Sequence, residues 1–166
     1  MQNFEPPAPT LSASINWTPI GAPYDEAANG QADLEAAFAR ARKNGKTILL
    51  NLGGNWCPDA QALAGMLEIP ELHNWLDENY EHVKIDIGDY DRNMNIPARF
   101  GFEQLEGVPA LLAIKTDGTL LNRKDCYIFR NARNREPQEV VDYLIEWCER
   151  FWTLPSVPEY TSTNSI

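Results

Sequence analysis

Leu49-Leu50-Asn51-Leu52-Gly53-Gly54-Asn55-Trp56-Cys57-Pro58-Asp59-Ala60 is the stretch on which the fold turns. With Thr47 and Ile48 before it, it opens as a short apolar run, the pattern of a strand buried on both faces. Two glycines and an asparagine break the run, Pro58 stands where a first helical turn would accept it, and residues 60–67 are helix-prone. The sequence therefore predicts a buried strand that ends in a turn and opens a helix, with Cys57 near the helix cap. Backbone N–H groups at a helix start lack intrahelical partners and favour negative charge, so a sulfur placed there is a better nucleophile. Asp59 suits the same helix end but opposes a second negative charge on the sulfur, so the expected activation is modest.

Working outward, Leu34, Ala37, Phe38 and Ala41 recur at helical spacing over 31–43, and Gly45 sits where that helix should stop. Downstream, Pro70 starts a helical piece whose apolar face holds Leu72, Trp75 and Leu76, and residues 82–87 read as another strand. A short helical segment at 96–100 leads to Gly107-Val108-Pro109. Segments 110–114 and 119–121 then flank Asp117-Gly118, a hairpin signal. Over 136–152, after Pro137, a helical stripe carries Val140, Val141, Leu144, Ile145, Cys148 and Phe151. The order α, β, α, β, α, β, β, α predicts an α/β domain, a mixed sheet with helices on both faces.

A chain of 166 residues fits one domain, placed at 31–152. The proline-rich residues 1–30 read as an extended tail that wraps the domain, anchored by Trp17, Ile20 and Tyr24, and 153–166 as a second tail. The formal charge of -10 argues against nucleic-acid binding. No apolar run approaches the roughly 18 residues of a membrane span, and the first 20 residues lack the pattern of an export signal. As written, the chain is expected to be cytoplasmic; a periplasmic protein trimmed of its signal would look the same. Cys57, Cys126 and Cys148 are too dispersed for a disulfide scaffold or a zinc ribbon, and His73 and His82 complete no ligand set, so no metal is expected. Asp86, Asp89 and Asp91 match a calcium loop only superficially and read as a solvated acidic loop, and Lys84 reads as an exposed lysine near the sheet edge.

Trp56-Cys57-Pro58-Asp59 resembles the Trp-Cys-x-x-Cys motif of the thioredoxin superfamily, and Pro109 after Gly107-Val108 resembles its cis-proline loop. The resemblance extends over 31–150. Leu67-Glu68-Ile69-Pro70-Glu71, Val83-Lys84-Ile85-Asp86 and Asp91-Arg92-Asn93 are most similar to bacterial thioredoxin-family and disulfide-isomerase proteins. It implies a three-layer α/β/α sandwich with a central mixed β-sheet and a thiol–disulfide oxidoreductase acting on protein or peptide disulfides without a cofactor. An external thiol or a thioredoxin-reducing system would regenerate the protein. Cys57 would be the nucleophile, and the backbone of Val108 would pair with an extended substrate peptide in a groove shaped by Trp56, Pro58, Gly107 and Pro109.

Two departures matter. Ala60 occupies the position of the resolving cysteine, and Asn51 occupies the place where thioredoxins themselves carry a buried carboxylate that aids proton transfer. Ala60 has three explanations: an engineered replacement that traps partners, a natural monothiol protein resolved by an external thiol, or a redox-inactive relative retained as a peptide-binding module. Keeping the Pro58-Asp59 pair favours the first, and Gln61, where many relatives carry a basic residue, favours divergence. Thiol–disulfide exchange needs a second thiol to resolve the mixed disulfide, and Cys126 after the hairpin and Cys148 on a core-facing stripe are poor substitutes.

Overall fold

The chain runs α1 (Gly30–Asn44), β1 (Thr47–Gly53), α2 (Pro58–Leu67), α3 (Pro70–Asn79), β2 (Tyr80–Asp86), α4 (Asn95–Arg99), β3 (Ala110–Ile114) and α5 (Pro137–Glu146) in a computed structural model that describes residues 7–148. β1 is buried at every position because it is the middle strand of a three-stranded sheet ordered β2-β1-β3. β2 pairs with it in parallel, Thr47 opposite Tyr80 and Gly53 opposite Asp86. β3 pairs antiparallel, Ile48 opposite Ile114 and Leu52 opposite Ala110.

Alternation along β1 divides the core between the two faces of the sheet. Ile48, Leu50 and Leu52 join Leu34, Phe38 and Ala41 of α1 and Ile96 of α4 in one cluster. Leu49, with Leu111 of β3, joins Leu63, Leu72, Trp75 and Leu144 of α2, α3 and α5 in the other. The result is the three-layer α/β/α sandwich expected from the sequence. Local signals set the helix ends: Asn29 Oδ1 accepts the Ala32 N–H at the start of α1, Gly45 ends it in the left-handed region at φ 76°, and Glu136 and Glu139 form a capping box on α5.

The second half of the predicted hairpin is not a strand. The turn closes as expected, with Lys115 N–H donating to Thr119 O at 2.9 Å, but pairing stops at a single bridge between Ile114 and Leu120. The buried Asn122 side chain then takes over the ladder: Oδ1 accepts from Ala113 N–H and Nδ2 donates to Leu111 O, both at 2.8 Å. A side chain that satisfies the edge of β3 removes the need for a fourth strand. α5 also ends earlier than predicted, at Glu146, and Cys148 is buried beyond it. Phe151 and the proposed tail at 153–166 lie outside the described residues.

Residues 7–29 lie against the domain. Leu11 and Tyr24 are buried, whereas Trp17 and Ile20 are only half-buried. Leu11 N–H donates to Gln138 Oε1 at 2.6 Å and Ile20 N–H to Gln61 O at 3.0 Å. The segment crosses α2 so closely at Gly65 that a Cβ there would collide with the Thr18 backbone, which explains a glycine in mid-helix.

Candidate active site around Cys57

Cys57 is the N-cap of α2. Its backbone is extended, with φ -89° and ψ 115°, and its Sγ accepts the Ala60 N–H at 3.4 Å. Pro58 fills the first turn, where its missing N–H costs nothing. The end of β1 therefore delivers the sulfur to unpaired donors at a helix start, as the apolar run and Pro58 predict. From the other side, the Cys57 thiol donates to Val108 O at 3.7 Å, and the Val108–Pro109 peptide bond is cis. Trp56, Cys57, Pro58, Ala60, Val108 and Pro109 thus come together, although they are separated by about fifty positions in the chain.

Cys57 is only 6% exposed. The loop before β3 covers it, and the exposed neighbours are Pro58 and Trp56, the latter 51% accessible. Gly107 lies under Arg130, whose stem would collide with any Cβ there. Asp59 does not act as a bare negative charge beside the sulfur. Its Oδ1 accepts from Arg133 N–H at 2.9 Å and Arg133 Nε at 3.1 Å, in the 3₁₀ segment Ile128–Asn134.

Ala60 is 1% exposed and shares a cluster with Cys57, so the resolving position carries a methyl group and no sulfur. Cys126 is buried in the same cluster, and burial, its largest influence, pushes its thiol up to about 11. Cys148 belongs to the cluster on the other face of the sheet, with Sγ 3.7 Å from Asn79 O. A thiol that stays protonated at neutral pH and one behind the sheet are both poorly suited to resolution.

Asn51, buried in β1, is the centre of a polar chain. Tyr24 Oη donates to its Oδ1 at 2.8 Å, and its Nδ2 lies 3.3 Å from Nε2 of His82. Because Asn51 Oδ1 is taken, the amide presents its N–H to His82, and Nε2 accepts only while the imidazole is neutral. Burial, with Lys84 and His73 adding to it, pushes His82 down to about 3 from an ordinary 6.5. The unfolded chain therefore binds this proton more readily, so stability falls as pH drops below about 6.5 and continues to fall toward 3. Between pH 6.5 and 5 the expected loss is about 1–2 kcal/mol. Urea unfolding at those two pH values checks it, and His82→Gln should flatten the difference; an equal difference in the variant would remove His82 as its source.

Other expectations meet mixed outcomes. Lys84 is exposed on the edge strand β2, as predicted. Asp86 is not solvated: it is buried, accepting from Arg92 Nε at 2.8 Å and Gly88 N–H at 3.1 Å, because it holds the loop after β2 in shape. Among the described residues, no group of acidic, histidine or cysteine side chains is arranged to hold a metal, and no helix is long and apolar enough to cross a membrane. Sequence reasoning missed Tyr90, Arg130 and Arg133 beside the site. Gly88-Asp89 marks a loop, but nothing in its spacing says which side chain returns to Cys57.

Comparison with known proteins bears on the fold. The Thioredoxin-like family model matches residues 29–115. The crystal structure of a disulphide isomerase from Xylella fastidiosa Temecula1 is 30% identical, covering 75% of this chain and 95% of that one with a TM-score of 0.71. The C-terminal domain of DsbD from Neisseria meningitidis is more distant: its oxidised form is 20% identical, covering 57% of this chain and 80% of that one with a TM-score of 0.45. No curated protein matches. With a matching family model over more than half its length and the sandwich built around the Cys57 turn, the chain belongs to the thioredoxin-like family.

Proposed function

We propose that the protein is a thiol–disulfide oxidoreductase acting on protein disulfides, in which Cys57 is the nucleophile and the resolving thiol comes from another molecule. One observation carries this: Cys57 Sγ is held between the Ala60 N–H, at 3.4 Å, and the Val108 carbonyl, at 3.7 Å, with no second sulfur at position 60. The helix-start N–H stabilises the thiolate that must form. That thiolate attacks one sulfur of a substrate disulfide; a Cys57–substrate S–S bond forms, the old bond breaks, and the leaving thiolate takes a proton from solvent. An external thiolate then attacks the Cys57 sulfur and releases the substrate's second thiol. A second external thiol frees Cys57, and the external pair departs as a disulfide that carries the oxidising equivalent.

In this scheme the backbone of Val108 pairs with an extended substrate strand, while Trp56, Pro58, Gly107 and Pro109 shape the groove beside it. Incubation with oxidised glutathione followed by intact-mass and peptide mapping tests the nucleophile: one glutathione on Cys57 is expected, and no adduct there would overturn the assignment. The slight exposure of Cys57 gives some support to a rival, a redox-inactive peptide-binding module. That rival requires partner binding and cellular function to survive Cys57→Ser unchanged.

A further inference from the structure

Three large apolar side chains stand exposed among the described residues, Trp56 at 51%, Tyr90 at 39% and Ile128 at 38%. The first two form a pair next to Cys57, with ring centroids 6.1 Å apart and planes inclined at 53°. Both are held rigidly. The Trp56 indole lies over Gly54, where a Cβ would collide with it, and its Nε1 donates to Gly88 O at 2.7 Å. Tyr90 sits at φ 62°, in the left-handed region that disfavours a bulky side chain.

The loop around Tyr90 enforces that conformation. Asp91 and Arg92 N–H both donate to Ile87 O at 3.1 Å, Asp89 N–H donates to Asp91 Oδ1 at 2.9 Å, and Asn93 Nδ2 donates to Asp86 O at 2.7 Å. Folding gains little from an aromatic ring in a disfavoured backbone conformation and left in water. Its place beside the sulfur supplies the reason. Partial burial, then the field of Cys57, raises the Tyr90 phenol, while Arg130 opposes the shift, so the ring lies within electrostatic reach of both. Arg130 forms the opposite wall, its stem against Gly107, its guanidinium donating to Glu106 O at 3.0 Å and stacked over Tyr127 at 5.3 Å from the ring centroid.

We propose that Trp56 and Tyr90 form an aromatic clamp that selects disulfides in an extended partner segment carrying an aromatic or long aliphatic side chain beside the attacked cysteine, with an acidic residue beyond it toward Arg130. This deepens the proposed function and rests on Cys57 attacking partner disulfides. Two preformed rings offer contact area at small entropic cost, and the Arg130 guanidinium on the far wall complements a carboxylate. Tyr90 is a specificity-determining residue in this scheme.

The test uses two symmetric peptide disulfides, Gly-Phe-Cys-Glu-Gly and Gly-Ser-Cys-Glu-Gly, each joined to its own copy. The full chain should form the Cys57 mixed disulfide about tenfold faster with the Phe peptide, the size of one good aromatic contact. Tyr90→Asn keeps a residue that tolerates positive φ while removing the ring, and should bring the ratio below about twofold. Tyr90→Phe should retain it. Because the ratio compares two peptides on one protein, a change in Cys57 reactivity cancels. A Phe preference that survives Tyr90→Asn, or no preference at the outset, overturns the clamp. Should neither peptide nor glutathione react, the oxidoreductase assignment fails separately. The clamp is then read on Cys57→Ser protein with Ser-for-Cys peptides, by the NMR shift of the Trp56 indole N–H. A shift larger for the Phe peptide and lost in Tyr90→Asn supports it, and equal shifts overturn it.

Discussion

Cys57→Ser is expected to leave the protein folded and to abolish its mixed disulfides altogether. Serine differs from cysteine by one atom, and a hydroxyl accepts a helix-start N–H at least as well as a thiol, so the Ala60 N–H keeps its partner. The expected change in stability is within about 1 kcal/mol, read by urea or thermal unfolding. The chemistry does not survive, because a serine hydroxyl is not ionised at neutral pH and forms no disulfide. Cys126 and Cys148 do not substitute: both are buried, and the first is held protonated. Intact mass after oxidised glutathione should therefore fall from one adduct per chain to none. An adduct persisting in the variant would show that a buried cysteine is reached by local opening, and would take the nucleophile away from Cys57.

How much of this site was legible beforehand depends on the range of each interaction. The end of β1, the cap at Cys57 and the first turn at Pro58 follow from residues within one turn of each other, and the apolar run and the proline announce them. The convergence of Val108 and Pro109 on the sulfur is non-local; it came from resemblance to a family and not from periodicity. What the sequence hid is decided by tertiary packing. Asn122 replaces a strand because its amide happens to face both Ala113 and Leu111, and an asparagine after a hairpin looks otherwise like an ordinary turn residue. Asp86 appeared as one aspartate among several, but Arg92, six positions on, folds back to bury it. Asp59 is offset by Arg133, seventy-four positions away. Tyr90 reads as a loop aromatic until the left-handed backbone of its turn brings it to Trp56.

Ala60→Cys should convert the single-thiol turn into a dithiol site. Cys57 is the extended N-cap and position 60 the third residue of α2, so the two side chains flank the first turn, and a small backbone adjustment brings their Cβ atoms to the roughly 3.5–4.5 Å that a disulfide needs. The Ala60 N–H already lies 3.4 Å from Cys57 Sγ, so the two residues face the same space. A buried sulfur replacing a hydrogen costs about 1–3 kcal/mol of overpacking at worst, which a folded domain tolerates. Oxidised glutathione should then yield a chain lighter by two hydrogens in place of a glutathione adduct, because the new thiol attacks the mixed disulfide intramolecularly. With a reductant supplied, insulin disulfide reduction should rise by ~100-fold or more, a modest fraction of the gain that well-oriented intramolecular attack provides. If the internal disulfide forms but turnover stays low, Asn51 becomes the limiting group, since an amide does not accept the proton that a buried carboxylate would take. Asn51→Asp places a second oxygen against Nε2 of His82, so the imidazole must move its single proton from Nδ1 to Nε2 to keep the contact. Asn51 and His82 are thus matched through one tautomer of the neutral imidazole, and a version of this site that regains the carboxylate must switch that tautomer.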